Sequence, residues 1–134
     1  MENLLFRSSG IDEFNYSRNL KPGQKIDFET SIKYSVHCFA DRHILIGNAI
    51  ITVNDSEKAG LFRMKFHHMG TFSYEGEITT DEERRKLHVE TSAVLQPLWN
   101  QAVVMFCTIA GIPPVLLPAY RVNEDQIRMG GDPA

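Results

Sequence analysis

Apolar and polar residues alternate through most of the first half of the chain. Residues 25–40 and 62–68 place mainly apolar side chains at every second position, with charged or small polar residues between them. That period of two is typical of a strand in a sheet with one solvated face. Residues 44–54 are apolar on both sides and predict a central strand, and residues 4–16 are a weaker candidate. We therefore expect four antiparallel strands joined by short connections.

The second half of the chain predicts helices. Thr80, with Glu83 three residues later, fits a capping box, and the acidic first turn favours the positive end of a helix dipole. A second helical segment is predicted over residues 91–111, with Ser92 as its N-cap. Gly111 ends it before two prolines.

The whole chain is expected to form one domain. Its predicted parts are a sheet over residues 4–76, helices over residues 80–111, and a proline-rich loop and tail over residues 112–134. Glycine inside a strand suggests a bulge at Gly47 and a shift of register at Gly70. The last residues of the tail are expected to fray.

The predicted long helix is apolar most of the way round, whereas a helix on one sheet needs an apolar stripe only about 100° wide. One face can cover the sheet, and the other needs a second cover. A symmetric partner, with two such helices pressed between two sheets, is the economical solution. The alternative is that the loop and tail of the same chain cover it. The residues expected at the partner interface are Val94, Leu98, Val103 and Phe106.

Composition limits the classes of function. The 134 residues are 43% hydrophobic and 23% charged, which suits one globular domain, and the net charge of -3 argues against a nucleic-acid-binding protein. Two distant cysteines predict free thiols in a reducing compartment. The start of the chain does not match a signal peptide, and the most apolar run falls short of the roughly 20 residues of a membrane span. We expect a cytoplasmic location without membrane insertion.

Three segments in a characteristic order resemble a known family. The strand "FRMKFHHMGTFSYEG" is similar to one that ends in a Gly-x-Phe segment, and "LQPLWNQAVVMFC" is similar to a Leu-x-x-Pro helix. The loop "GIPPVLLPAYRVN" is similar to a Gly-x-x-Pro loop that leads to a Val-Asn pair. Over residues 25–123 the chain thus resembles SecB, the bacterial protein-export chaperone, and its SecB-like relatives.

The resemblance implies an α+β fold, with a four-stranded antiparallel sheet packed against a long C-terminal helical region. It implies dimers formed through the long helices, which pair into tetramers. It further implies an ATP-independent chaperone, without cofactor, that binds unfolded or partly folded polypeptides, such as a preprotein or an antitoxin, in apolar grooves. The residues expected to line the groove are Phe39, Met69, Trp99, Phe106, Ile112, Val115, Leu116, Leu117 and Tyr120.

The resemblance has departures that bear on partners. SecB docks the motor protein SecA through acidic side chains on its sheet, but Lys65 occupies the matching position here, with Arg63 nearby. This basic strand argues against SecA docking by the same route. Asn100 replaces an arginine that is frequent in the family helix. These departures fit a relative that serves another client. Some SecB-like proteins, for example, protect an antitoxin.

Two other classes of function remain open from the sequence. One is a dedicated adaptor that binds one folded partner, for example by strand addition. The other is an enzyme, because His37 and His67 could bind a metal or move protons if their strands pair. No nucleophile motif and no glycine-rich phosphate loop is present. We therefore predict no catalytic residue, no metal and no cofactor.

Overall fold

The computed structural model describes residues 2–21, 23–57, 60–120 and 129–132, with side chains described between residues 4 and 120. Within these residues the structure has five strands, a 3-10 turn and one long helix. They are β1 (Glu2–Arg18), β2 (Phe28–Phe39), the 3-10 turn (Ala40–Arg42), β3 (Ile44–Asp55), β4 (Phe62–Glu75), α1 (Asp81–Ala110) and β5 (Met129–Asp132).

The strands form a single sheet in the order β1-β4-β3-β2-β5. The first four strands are mutually antiparallel, which confirms the sequence-based prediction. β5 is parallel to β2 and pairs with its last four residues, from Val36 to Phe39. The expectation of a frayed tail was therefore wrong for residues 129–132. The edge of β2 offers unpaired backbone groups, and β5 satisfies part of them.

One face of the sheet carries α1, and we call the opposite face the outer face. Leu95 of α1 sits where two strands have glycine, because Gly47 and Gly70 are direct partners in the ladder between β3 and β4. A Cβ atom built on either glycine would approach Leu95 Cδ1 to 2.9 Å. The ladder between β3 and β4 runs through both glycines without a bulge, and the ladder between β2 and β3 does so through Gly47. The predicted bulge at Gly47 was wrong, whereas the ladder between β1 and β4 does shift register next to Gly70, between Thr71 and Phe72. Both glycines form a seat for the helix.

α1 is one continuous helix of 30 residues rather than two segments. The predicted N-cap at Thr80 is confirmed, since the backbone N–H of Glu83 donates to Thr80 Oγ1 at 3.1 Å. The Thr80 hydroxyl itself donates to Glu83 Oε1 at 3.1 Å. Ser92 is not an N-cap, because its hydroxyl is inside the helix and donates to the carbonyl of Val89 at 2.9 Å. The helix also accommodates Pro97 and ends, as predicted, at Gly111, which has a φ of 74°.

Two of the three register irregularities of β1 against β4 restore its apolar side to one face. They fall after Phe6 and after Ile11, and each places one extra residue in β1 opposite β4. Apolar residues of β1 consequently align with α1-facing positions of β4. The pairs are Phe6–Phe72, Ile11–His68, Phe14–Phe66 and Tyr16–Met64.

Candidate functional site

The proline-rich loop forms an extended segment, residues 112–120, that we call the strap. Gly111 adopts the left-handed conformation at the end of α1. The strap returns far enough along the helix for Tyr120 to contact Gln96. Ile112 and Val115 are half-buried against the core, whereas Leu116 is 84% exposed. The chain itself therefore covers part of its apolar loop.

Tyr120 ends the strap in a slot lined by aromatic side chains. Its ring makes edge contacts with Tyr34, at a centroid distance of 5.8 Å, and with Trp99, at 6.0 Å. The Tyr120 hydroxyl is hydrogen-bonded to His88 Nε2 at 3.0 Å. Edge-to-face packing of this kind adds to the effect of burial itself. The slot thus fixes both the ring and the hydroxyl of one tyrosine.

Gln96 holds the backbone of the same residue. Its side-chain Nε2 donates to the carbonyl of Tyr120, and its Oε1 accepts from the Tyr120 N–H, both at 3.3 Å. One amide side chain thereby satisfies both backbone groups of one residue, as a neighbouring strand would in a ladder. This arrangement is suited to extended polypeptide of any sequence.

Burial governs the ionisation of the groups around the slot. Burial lowers the pKa of His88, so its imidazole favours the neutral form. Burial raises the pKa of Tyr120 and, more strongly, that of Tyr34. The Tyr34 hydroxyl donates to Thr91 Oγ1 at 2.7 Å. The slot is consequently an uncharged environment, suited to apolar and phenolic side chains rather than to ions.

The side of α1 away from the strap is apolar but uncovered in the protomer. Val94, Leu98, Met105 and Ile109 lie within about 60° of one another on a helix with 100° per residue, roughly opposite Gln96. Met105 is 53% exposed and Ile109 is 76% exposed. By length and composition alone the helix is long and apolar enough to cross a membrane, and less than a third of its most apolar stretch is buried. Core helices of soluble proteins meet the same criterion.

β1 adds a second row of exposed apolar side chains, which we group with those four helix residues as the open flank. The ring centroids of Phe14 and Phe106 are 4.2 Å apart. The ring centroid of Phe106 is also 5.2 Å from that of Phe66 in β4. Phe14 nevertheless remains 42% exposed. The β1 members of the open flank are Phe6, Ile11, Phe14 and Tyr16. Soluble monomers rarely expose contiguous apolar patches of this kind unless a partner or ligand covers them.

The residues predicted to form the groove are dispersed over four regions, one of which is the contact of Phe106 with β1. Ile112, Val115, Leu116, Leu117 and Tyr120 all belong to the strap. Trp99 is fully buried beneath the strap, where its ring lies against that of Tyr120.

Two further groove candidates lie on the other side of the sheet. Phe39 and Met69 occupy outer-face positions of β2 and β4, because α1-facing residues alternate with them along each strand. Phe39 contacts His37, with ring centroids 4.7 Å apart. The sheet itself separates both residues from the strap, so the single groove predicted from the sequence is corrected.

Among the predicted interface residues, Val94 and Leu98 belong to the open flank, and Phe106 lies half-buried against β1. Val103 is fully buried in the protomer core, so its assignment to a partner interface is also corrected. The sequence could not separate it from Met105, because both lie in one apolar run. The open-flank residues of β1 were missed because the two irregularities hide their common face.

His37 and His67 do not come together as a shared metal or proton-transfer site would require. His37 and His67 both lie on the outer face, but β3 separates their strands, and their β3 partners, Ile46 and Ile50, are four residues apart. Strand spacings place the two imidazoles roughly 15 Å apart. His67 is instead hydrogen-bonded to Asn48 Oδ1 at 2.8 Å, with Asp12 at 3.4 Å. Within the described residues, no three His, Cys, Asp or Glu side chains are grouped for metal binding.

Comparisons with known proteins rest on structure. No protein-family model and no curated protein matches the chain. The Mycobacterium tuberculosis Rv1957 SecB-like chaperone, in complex with a ChAD peptide from the Rv1956 HigA1 antitoxin, matches with a TM-score of 0.70 and 15% identity, over 87% of this chain and 90% of that chain. A Streptococcus agalactiae protein of unknown function matches with a TM-score of 0.47 and 13% identity, over 87% of this chain and 98% of that chain. The first match confirms the predicted SecB-like fold.

Proposed function

We propose that this protein is an ATP-independent chaperone that captures extended, non-native polypeptide on apolar surfaces. The observation that carries the proposal is the amount of apolar surface that the folded protomer leaves uncovered, on both the helix and β1. A client in no fixed conformation offers apolar side chains and unpaired backbone groups. The open flank can bind the apolar side chains. Gln96, which pairs with backbone in the strap, can bind the backbone groups.

We further propose that part of the open flank is buried between protomers. The exposed side chains of α1 and β1 are adjacent through the contact of Phe106 with Phe14, so one apolar partner surface can cover both. A second copy of the same chain presents the same surface, and an isologous contact is the commonest way to bury it. The proposal covers a dimer or a tetramer acting in the cytoplasm without membrane insertion.

The proposal is tested by two measurements on the purified protein. Light scattering should give a mass above that of one protomer, and this mass should increase when a reduced, carboxymethylated protein is added as a permanently unfolded client. The protein should also suppress the aggregation of several unrelated heat-denatured proteins without added ATP. Failure to bind or protect any of them would contradict the chaperone proposal.

A second candidate is a dedicated chaperone or adaptor for one partner. The Rv1957 structure contains a peptide from an antitoxin, so a single-client role is compatible with this fold. Client range separates the two candidates. Under the dedicated role, the protein protects one partner and leaves unrelated unfolded proteins to aggregate.

The enzyme alternative is not favoured by the described residues, because the two outer-face histidines lie apart. The basic residues Arg63 and Lys65 also occupy outer-face positions. We therefore retain the proposal that SecA does not dock by the acidic route. Binding of purified SecA to the wild type and to a double variant with Glu at both positions tests it, and wild-type binding as strong as that of the variant would contradict it.

A further inference from the structure

We propose that the strap is the resident occupant of the Tyr120 slot and that a client segment must displace it. The slot consists of Tyr34, His88, Gln96 and Trp99. This inference rests on the proposed function, because it concerns access to a client-binding surface. It assigns the strap the role of an intramolecular competitor, held by Tyr120 and released when the client binds.

The contacts of Gln96 supply the first argument. Its amide pairs with the N–H and the carbonyl of Tyr120 and with no atom that distinguishes this residue from another. Every non-proline residue of an extended client offers the same two groups. Client backbone can therefore take the place of the strap backbone without leaving Gln96 unsatisfied.

The ring environment supplies the second argument. The Tyr120 side chain meets Tyr34 and Trp99 edge-on and is hydrogen-bonded to His88. An aromatic residue in a client presents the same shape, and a tyrosine also presents the same hydroxyl. The slot thus exchanges one aromatic side chain for another of equivalent chemistry.

The composition of the strap supplies the third argument. Pro113, Pro114 and Pro118 have no N–H to bond to the helix, and Leu116 is 84% exposed. The hydrogen bonds of Tyr120 to Gln96 and His88 therefore act as a latch at the end of a strap with little polar attachment. The prolines keep the released strap extended, and its tether gives it an effective concentration of millimolar order, so it closes again when the client leaves.

The first test uses Trp99, which is the single tryptophan of the chain, is fully buried and lies beside Tyr120. Gln96→Ala and Tyr120→Ala should each raise acrylamide quenching of its fluorescence and speed amide hydrogen exchange in the strap by about tenfold. Gln101→Ala is the matched control, because Gln101 is an exposed glutamine of the same helix. Wild-type quenching and exchange in both latch variants would overturn the inference.

The second test uses a synthetic peptide with the sequence of the strap, IPPVLLPAY amide, and its IPPVLLPAA counterpart. The tyrosine peptide should bind Tyr120→Ala about tenfold more tightly than the wild type, because the variant slot is vacated. The alanine peptide should show no such preference. Equal binding of the tyrosine peptide to the two proteins, or no binding to either, would overturn the inference.

A third measurement separates the inference from the proposed function. When the carboxymethylated client binds the wild type, the strap amides should exchange faster. If the client binds and the exchange of the strap is unchanged, the chaperone proposal stands and the displacement inference fails. If no client binds, the chaperone proposal fails, and the strap peptide still decides whether the slot accepts a competing segment.

Discussion

A charge placed at two nearby positions of α1 should have opposite consequences. Val103 and Met105 are two residues apart, which places them about 160° apart around the helix. Val103 is 0% exposed, whereas Met105 is 53% exposed. We compare Val103→Glu with Met105→Glu, since both introduce the same side chain into the same helix. The first should destabilise the protomer and the second should weaken the association of protomers.

The expected loss of stability in Val103→Glu follows from the burial of Val103. An unpaired carboxyl group in a core destabilises by about 3–5 kcal/mol, against a total stability of about 5–15 kcal/mol for a domain. At about 3–5 °C per kcal/mol for a chain of this size, the melting temperature should fall by roughly 10–20 °C. Circular dichroism melting is the assay.

The expected effect of Met105→Glu on the free energy differs between the protomer and the assembly. In the protomer the change is on the surface, so the free energy of unfolding should shift by no more than about 0.5 kcal/mol. In a symmetric interface the substitution occurs twice, and a total penalty of about 2–4 kcal/mol corresponds to a dissociation constant raised about 30- to 700-fold. Sedimentation velocity over a dilution series measures this change.

Met105→Leu is the matched control, because it keeps an apolar side chain of similar volume and should retain both the mass and the melting temperature. Two results would refute the reasoning. If Met105→Glu keeps the wild-type mass throughout the dilution series, the open flank does not contact a partner copy. If Val103→Glu has the same melting temperature as the wild type, Val103 does not lie in the core.

The remaining predictions concern the strap, the helix seat and pH. Leu116→Asp should leave folding and mass unchanged, because Leu116 is exposed, but should weaken binding of the carboxymethylated client; unchanged affinity in a titration would remove Leu116 from the client surface. Gly70→Ala should lower stability by about 1–3 kcal/mol in urea unfolding, because the new methyl group overlaps Leu95; combining it with Leu95→Ala should lose less than the sum of the two single changes, and strict additivity would argue against contact. Burial lowers the pKa of His68 and His88 below the ordinary 6.5. Below pH 6.5 the unfolded chain therefore binds more protons than the folded chain. The folded state keeps its full stability above pH 6.5 and loses stability as the pH falls from 6.5 towards the folded-state pKa values. The melting temperature should be lower at acidic pH, with a smaller difference in His88→Gln, and an equal or larger difference in that variant would contradict the assignment.

Much of the fold could be predicted from the sequence because its determinants are local. Alternation with a period of two reports which residues share a face of a strand, and it identified β2 and β4, whereas a run that is apolar on both sides identified β3. The N-cap at Thr80 and the left-handed Gly111 depend on residues within one turn of the helix ends. The apolar character of α1 and of the strap was also evident from the sequence. It implied that other parts of the protein or a partner must bury their apolar surfaces.

Tertiary structure alone decided which apolar residues are covered and by what. The register against β4 brings Phe6 and Phe14 of β1 to one face, although the two irregularities break their period in the sequence. The packing of α1 on the sheet places Val103 inside and Met105 outside. The strap places Tyr120 against a glutamine 24 positions earlier. Periodicity assigns residues to faces, but only pairing and packing between distant segments determine which face meets the core, the strap or the solvent.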